Sequence, residues 1–225
     1  MNEHKIDASG GESDYNTGKD DYDGCANGGA GSIWLRKTDE LVIDNKDKVT
    51  DKYTRITAPR SSHKKGNHYR EIAESMTIKG KANGAILGKY KEMAFDNLTL
   101  DGKVRLTLDR ARKNFTIQLR KKVHMTPEST LDISKCTGVI LNITDSDFPV
   151  QLGGVMYRHV LGIKGKSVTM SGKIELPSKA SKKYLDNASL LVAIDENIEL
   201  KGQANLNGGN ILLQSNGTIS SSPGS

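Results

Sequence analysis

Few side chains in this chain have the type and spacing for chemistry. Asp145 and Asp147, spaced i, i+2 at a strand end, share one face, as general acid–base work on a glycosidic bond requires. Arg158 and His159 follow as a cation and a base that could face the same groove. Thr144-Asp-Ser-Asp before Phe148-Pro149 reads equally as an ordinary polar turn. The run Lys103 to Lys122 carries Arg105, Arg110, Arg112, Lys113, Arg120 and Lys122, six cations that on one face could hold a polyanion through its phosphates or carboxylates. Its one aromatic, Phe115, alternates toward the core, so base stacking and specific nucleic-acid readout are not expected. The plainer reading of the run is a solvated face. Asp20, Asp21 and Asp23 offer oxygen ligands for calcium, but Lys19 and Ala30 stand where an EF-hand needs its first Asp and last Glu. A flexible acidic loop fits them better. His63 and His68 lack an acidic partner or nucleophile elbow, so no triad is read there. Cys25 and Cys136 lie far apart and outside any metal-ligand spacing, leaving two thiols or one disulfide open. No cofactor is expected.

The elements that must carry these residues have period two. Val104, Leu106 and Leu108 alternate with Arg105, Thr107 and Asp109, and Phe115, Ile117 and Leu119 alternate with Thr116, Gln118 and Arg120. Half-buried strands produce that pattern. Val139, Leu141 and Ile143 repeat it, yet Ile140 also reads as core, so the register there stays open. One segment, residues 68–76 (HYREIAESM), places Tyr69, Ile72, Ala73 and Met76 at i, i+3, i+4 and i+7 and predicts a short helix. The expected core runs from Ile33 and Leu35 through Leu98, Phe115, Ile140 and Val168 to Ile211 and Leu213.

Composition bounds the fold. Of 225 residues, 35% are apolar, and the 23 Gly bring the figure to about 45%, at the edge of the globular range. No apolar run approaches the roughly 18 residues of a spanning helix, and no signal-peptide pattern follows Met1, so neither a membrane span nor export is expected from this stretch. The compartment is then cytoplasmic, or the cell surface if the chain belongs to a longer exported protein. The net charge of +6 divides into −5 over residues 1–32 and +11 over the rest, which predicts an acidic Gly-rich arm at 1–32 and a basic body at 33–225.

Four segments share one design: Met76-Thr-Ile-Lys-Gly-Lys-Ala, Leu98-Thr-Leu-Asp-Gly-Lys-Val, Val168-Thr-Met-Ser-Gly-Lys-Ile and Ile198-Glu-Leu-Lys-Gly-Gln-Ala. Their starts, 22, 70 and 30 residues apart, are loose multiples of one turn of a parallel β-helix. Stacked short strands would bury one continuous apolar column, with Gly at each corner free to take positive φ. The expectation is therefore an all-β fold, a right-handed parallel β-helix (solenoid), with a β-sandwich or barrel as the alternative.

Residues 6–11 (Ile6-Asp-Ala-Ser-Gly-Gly), residues 27–35 (Asn27-Gly-Gly-Ala-Gly-Ser-Ile-Trp-Leu) and residues 207–213 (Asn207-Gly-Gly-Asn-Ile-Leu-Leu) add a second motif at the two ends. In this style the chain resembles the Gly-rich β-solenoid repeats of adhesin and filamentous-haemagglutinin-like surface proteins. The resemblance covers residues 6–45 and 198–221 and implies a non-enzymatic structural or surface-interaction module, with an acidic glycan or other polyanion as partner. Two other functions remain: a β-helix lyase or hydrolase of acidic polysaccharide working through Asp145, Asp147, Arg158 and His159, and a self-assembling scaffold. The last follows because an uncapped solenoid end exposes strand edges, whereas Ser220-Ser-Ser-Pro-Gly-Ser, without a cap or closing polar turn, reads as if more repeats follow in a longer repeat protein. Five N-x-[ST] sequons, among them Asn97 and Asn142, read either as glycan acceptors or as strand corners.

Overall fold

Short period-two segments cannot bury an apolar face alone, and here they do so by stacking on their counterparts elsewhere in the chain. The computed structural model describes residues 30–35, 38–56, 69–71, 74–87, 92–109, 114–144, 150–175, 188–205 and 210–222, and among these it is all-β, without a helix. The strands fall into three rows. The first holds β4 (Tyr69–Glu71), the leading halves of β7 (Glu92–Leu100) and β9 (Asn114–Met125), then β11 (Gly138–Ile143), β14 (Val160–Gly165), β17 (Ser189–Ile194) and β20 (Asn210–Ser215). The second holds β1 (Ser32–Leu35), β2 (Glu40–Asp44), β5 (Ser75–Lys79), the trailing halves of β7 and β9, then β12 (Val150–Leu152), β15 (Val168–Met170), β18 (Ile198–Leu200) and β21 (Ile219–Ser221). The third holds β3 (Thr54–Ile56), β6 (Asn83–Leu87), β8 (Arg105–Asp109), β10 (Thr130–Asp132), β13 (Gly154–Met156), β16 (Lys173–Glu175) and β19 (Gln203–Asn205). β7 and β9 join the first two rows into a 14-stranded sheet, and the third row is a 7-stranded sheet of its own. Apart from the antiparallel pair β1–β2, the ladders are parallel.

The four repeated segments turn out to be register partners. Met76 pairs with Leu98, and Val168 with Ile198, all in the second row. The row continues through Val123 opposite Leu98, Val150 opposite Val168 and Ile219 opposite Ile198, positions that lack the polar–Gly–Lys corner. Alternate residues point into one apolar core, with Ile43, Ile78, Leu100, Leu141, Leu152 and Ile163 fully buried. Outward residues form ladders along the stack. The Gln118 amide donates to the Glu92 carboxylate at 2.7 Å, and Asn142 donates to Gln118 at 2.7 Å. Two sequon asparagines are thereby accounted for as ladder residues, since Asn97 likewise donates to Ser75 at 2.9 Å.

Three expectations are corrected. The short helix at 68–76 is absent: Tyr69–Glu71 and Ser75–Lys79 are strands. Met76 and Ile78 are both buried, and Met76 is held between Leu41 and Leu98 by parallel ladders, a tertiary pairing that overrides the local helical spacing. Ile140 is not core but 39% exposed, because Val139 and Leu141 take the inward positions opposite Phe115 and Ile117. Leu35 and Ile211 are also exposed, lying on strands at the margins of the sheet.

Tyr157, buried where the chain leaves β13, has a hydroxyl with no hydrogen-bond partner among the described residues. Burial pushes its pKa from 10.0 up to about 12. The unfolded chain therefore releases this proton first, and stability should fall as pH rises from about 10 through about 12. Tyr157→Phe removes a buried unsatisfied group and should gain about 1 kcal/mol at neutral pH. It should also abolish that alkaline loss, as urea titrations at pH 7 and pH 11 would show.

Candidate functional site

The fold separates the basic residues that stand close in sequence. Arg105 projects from β8 in the third row, whereas Arg120 and Lys122 lie on β9 where the first and second rows meet. Arg110, Arg112 and Lys113 lie outside the described residues, as do Asp20, Asp21, Asp23, Cys25, Asp145 and Asp147. Cys136 is buried in the turn after β10. Arg158 and His159 occupy the bend between β13 and β14, where the His159 carbonyl accepts from Ser189 N at 2.7 Å. Burial, with the Arg158 guanidinium beside it, holds the His159 imidazole below its ordinary pKa.

Arg105 is engaged across the sheet. Its Nη2 lies 2.5 Å from Asp132 Oδ2, and the other Asp132 oxygen accepts from Ser134 N at 3.0 Å and Ser134 Oγ at 2.6 Å. The buried carboxylate thus has three donors, and the pair clamps β8 to β10. A second cluster forms at the corner of β7 and β9, where the register shifts between Phe95 and Asn97. Asp96 is buried there, with Lys121 Nζ at 2.6 Å and Arg120 Nη1 at 3.5 Å. Hydrogen bonding and attraction to Asp96 raise the Lys121 pKa. Both clusters hold the backbone together, and of the described cations in the run, Lys103, Lys121 and Lys122 are exposed to solvent, Lys121 while paired with Asp96.

A different surface forms at the C-terminal strands. β19, β20 and β21 each have one strand neighbour, β16, β17 and β18 respectively, so each leaves one edge bare among the described residues. An apolar cavity of about 230 Å³ lies beneath them, lined by Met170, Ile174, Leu190, Leu200, Ile211 and Leu213. Register partners show what the bare edge costs. Leu190 is 1% exposed and its partner Ile211 50%, while Ile198 is 0% exposed and its partner Ile219 46%. Covering the remaining half of each side chain is worth roughly 0.7–1.5 kcal/mol, half of what full burial from water gives.

Comparison with known proteins finds no matching family model, no matching curated protein and no matching solved structure. The chain's own surfaces must carry the functional reading. No helix among the described residues is long and apolar enough to cross a membrane.

The sequence carries a signal at these strands that its apolar patterning does not show. Residues 202–225 contain no Asp, Glu, Lys, Arg or His, in a chain with 27% charged residues. Edge strands ordinarily carry charge, Lys above all, to block pairing with other chains. This end lacks that protection.

Proposed function

We propose that the chain is a parallel β-solenoid and acts as a non-enzymatic structural or interaction module whose working surface is the uncharged C-terminal end. The observation that carries the reading is the coincidence at one place of three strand edges that are bare among the described residues, an apolar cavity and a charge-free sequence. The Gly-rich repeat style resembles that of surface-exposed solenoid repeats, which agrees with an interaction role. Polyanion binding is less favoured, because Arg105 and Arg120 face Asp132 and Asp96. The polysaccharide-cleaving alternative draws no support from the described carboxylates most enclosed by protein, since these same two are held by cations.

An environment-sensitive apolar dye tests the reading. Dilute protein should enhance dye fluorescence, and Ile211→Asp, at a half-exposed position on the cavity rim, should remove most of the enhancement. Ile140→Asp, on a similarly exposed, outward-facing residue three strands along the same row, should leave it unchanged. Equal loss from both variants, or enhancement insensitive to Ile211→Asp, would remove the C-terminal end as the working surface.

A further inference from the structure

A second surface lies on the outer face of the first row, and we infer that it joins two copies of this chain face to face in a closed two-fold dimer. The face spans β11, β14, β17 and β20, whose residues are in register from strand to strand. Ile140, Val160, Leu191 and Leu212 all point outward on it, four of the nine large apolar residues that stand exposed among the described residues. Each strand contributes three outward positions, and of these twelve only Lys164 is charged, in a chain with 27% charged residues. The outward positions of the second row include Lys122 and Glu199, and those of the third Arg105, Asp132, Lys173 and Glu175.

Gly162 is an independent sign of a close neighbour. It lies mid-strand between Ile140 and Leu191, and its φ is not in the left-handed region. An added Cβ would meet Ile140 Cγ1 at 3.5 Å and Val139 O at 3.8 Å, ordinary contact distances. The fold therefore does not demand glycine there, as it does at Gly172 and Gly202. Glycine inside a strand weakens it and often marks the place where a ligand or another chain comes close.

The pattern of the face selects a second copy as that neighbour. A two-fold axis parallel to the strands, between β14 and β17, inverts the stack and sets β14 against the partner's β17, and β11 against the partner's β20. Leu191 then faces the notch at the partner's Gly162, and the partner's Leu191 faces this one. Ile140 meets the partner's Leu212, Lys164 the small partner's Ala193, and Asn142 the partner's Gln214, amide to amide. No cation opposes a cation, so the face complements its own inverse, as a two-fold interface requires. A polyanion would find one lysine among twelve positions. The four strands cover about 19 Å along the stack and six residues about 20 Å along each strand. That is small for a protein interface, so the dimer is weak and depends on concentration. One such face per copy closes the assembly at two.

Sedimentation velocity on the full chain, from micromolar to millimolar concentration, tests the inference. Wild type should pass from one copy to two and stop. Leu191→Lys, at a position 41% exposed, should weaken the dimer roughly 10-fold or more, and so should Gly162→Val, which fills the notch. Circular dichroism should show unchanged strand content in both. Ile219→Lys, at a similarly exposed position on the second row, should dimerise as wild type does. A wild type monomeric throughout, a mass that grows past two copies, or undiminished dimers in the Leu191 variant overturns the inference. So does a dimer lost in Ile219→Lys, which would move association to the C-terminal strands. The C-terminal working surface is judged separately, by the dye response to Ile211→Asp.

Discussion

Leu141→Ala should lower the folding free energy by about 2–5 kcal/mol, while Ile140→Ala, one residue away, should change it by less than about 1 kcal/mol. The contrast follows from the parallel ladders on both sides of β11. Leu141 lies opposite Ile117 and Ile163, all three buried, so truncation opens a cavity inside a column whose backbone is fixed by pairing above and below. Collapse into that space is resisted, which favours the upper part of the range. Ile140 points outward between Thr116 and Gly162 and is 39% exposed, so truncation opens no cavity. Urea unfolding midpoints of the two variants, at equal m, measure the difference. Equal losses would mean that β11 is out of register by one residue.

The second large effect is expected at two glycines of the repeated corner. A Cβ on Gly172 would lie 2.2 Å from Gly153 C and Gly154 N, and one on Gly202 would lie 2.0 Å from Gly172 O. Backbone, unlike a side chain, cannot step aside, so Gly172→Ala and Gly202→Ala should each cost about 3 kcal/mol, the upper end of ordinary overpacking. At roughly 2–4 °C per kcal/mol for a chain of this size, each variant should melt about 6–12 °C below wild type. Gly102 occupies the same motif position for another reason. Its φ is +77° and an added Cβ would have nothing within 4 Å, so Gly102→Ala meets only conformational strain, about 1 kcal/mol. Calorimetric melting of the three variants separates the two requirements. A Gly172→Ala variant as stable as Gly102→Ala would show that successive chain segments do not approach closely at this corner.

Much of the architecture is legible in the sequence because parallel stacking repeats a short apolar pattern at equivalent positions. Met76, Leu98, Val168 and Ile198 are recognisable as copies, and they occupy one row in register. Val123 and Val150 occupy the same row without the Gly-Lys corner, so a motif search passes over them although their apolar alternation is intact. The helical spacing of Tyr69 and Met76 misleads because local periodicity carries no information about long-range ladders, and those ladders claim Met76. Arg105 and Arg120 look like one basic run, but the intervening residues carry the chain from the third row to the first. Their carboxylate partners, Asp132 and Asp96, are 27 and 24 residues away in sequence, beyond the reach of any local pattern. The C-terminal surface is marked in composition alone, as 24 consecutive residues without charge, and its meaning depends on knowing that β19, β20 and β21 lie at the margin.

Pulsed dipolar spectroscopy on pairs of spin labels along the outward ladder of the second row tests the proposed solenoid most directly. From Thr77 the ladder runs through Thr99, His124 and Gln151 to Thr169, Glu199 and Ser220, which are four, five and six strands away. At about 4.8 Å per strand, labels on Thr77 paired with Thr169, Glu199 and Ser220 should lie about 19, 24 and 29 Å apart between attachment points, rising by one strand spacing each time. Distances that fail to rise in that order, as strands folded back into a sandwich or closed into a barrel would give, contradict the stack.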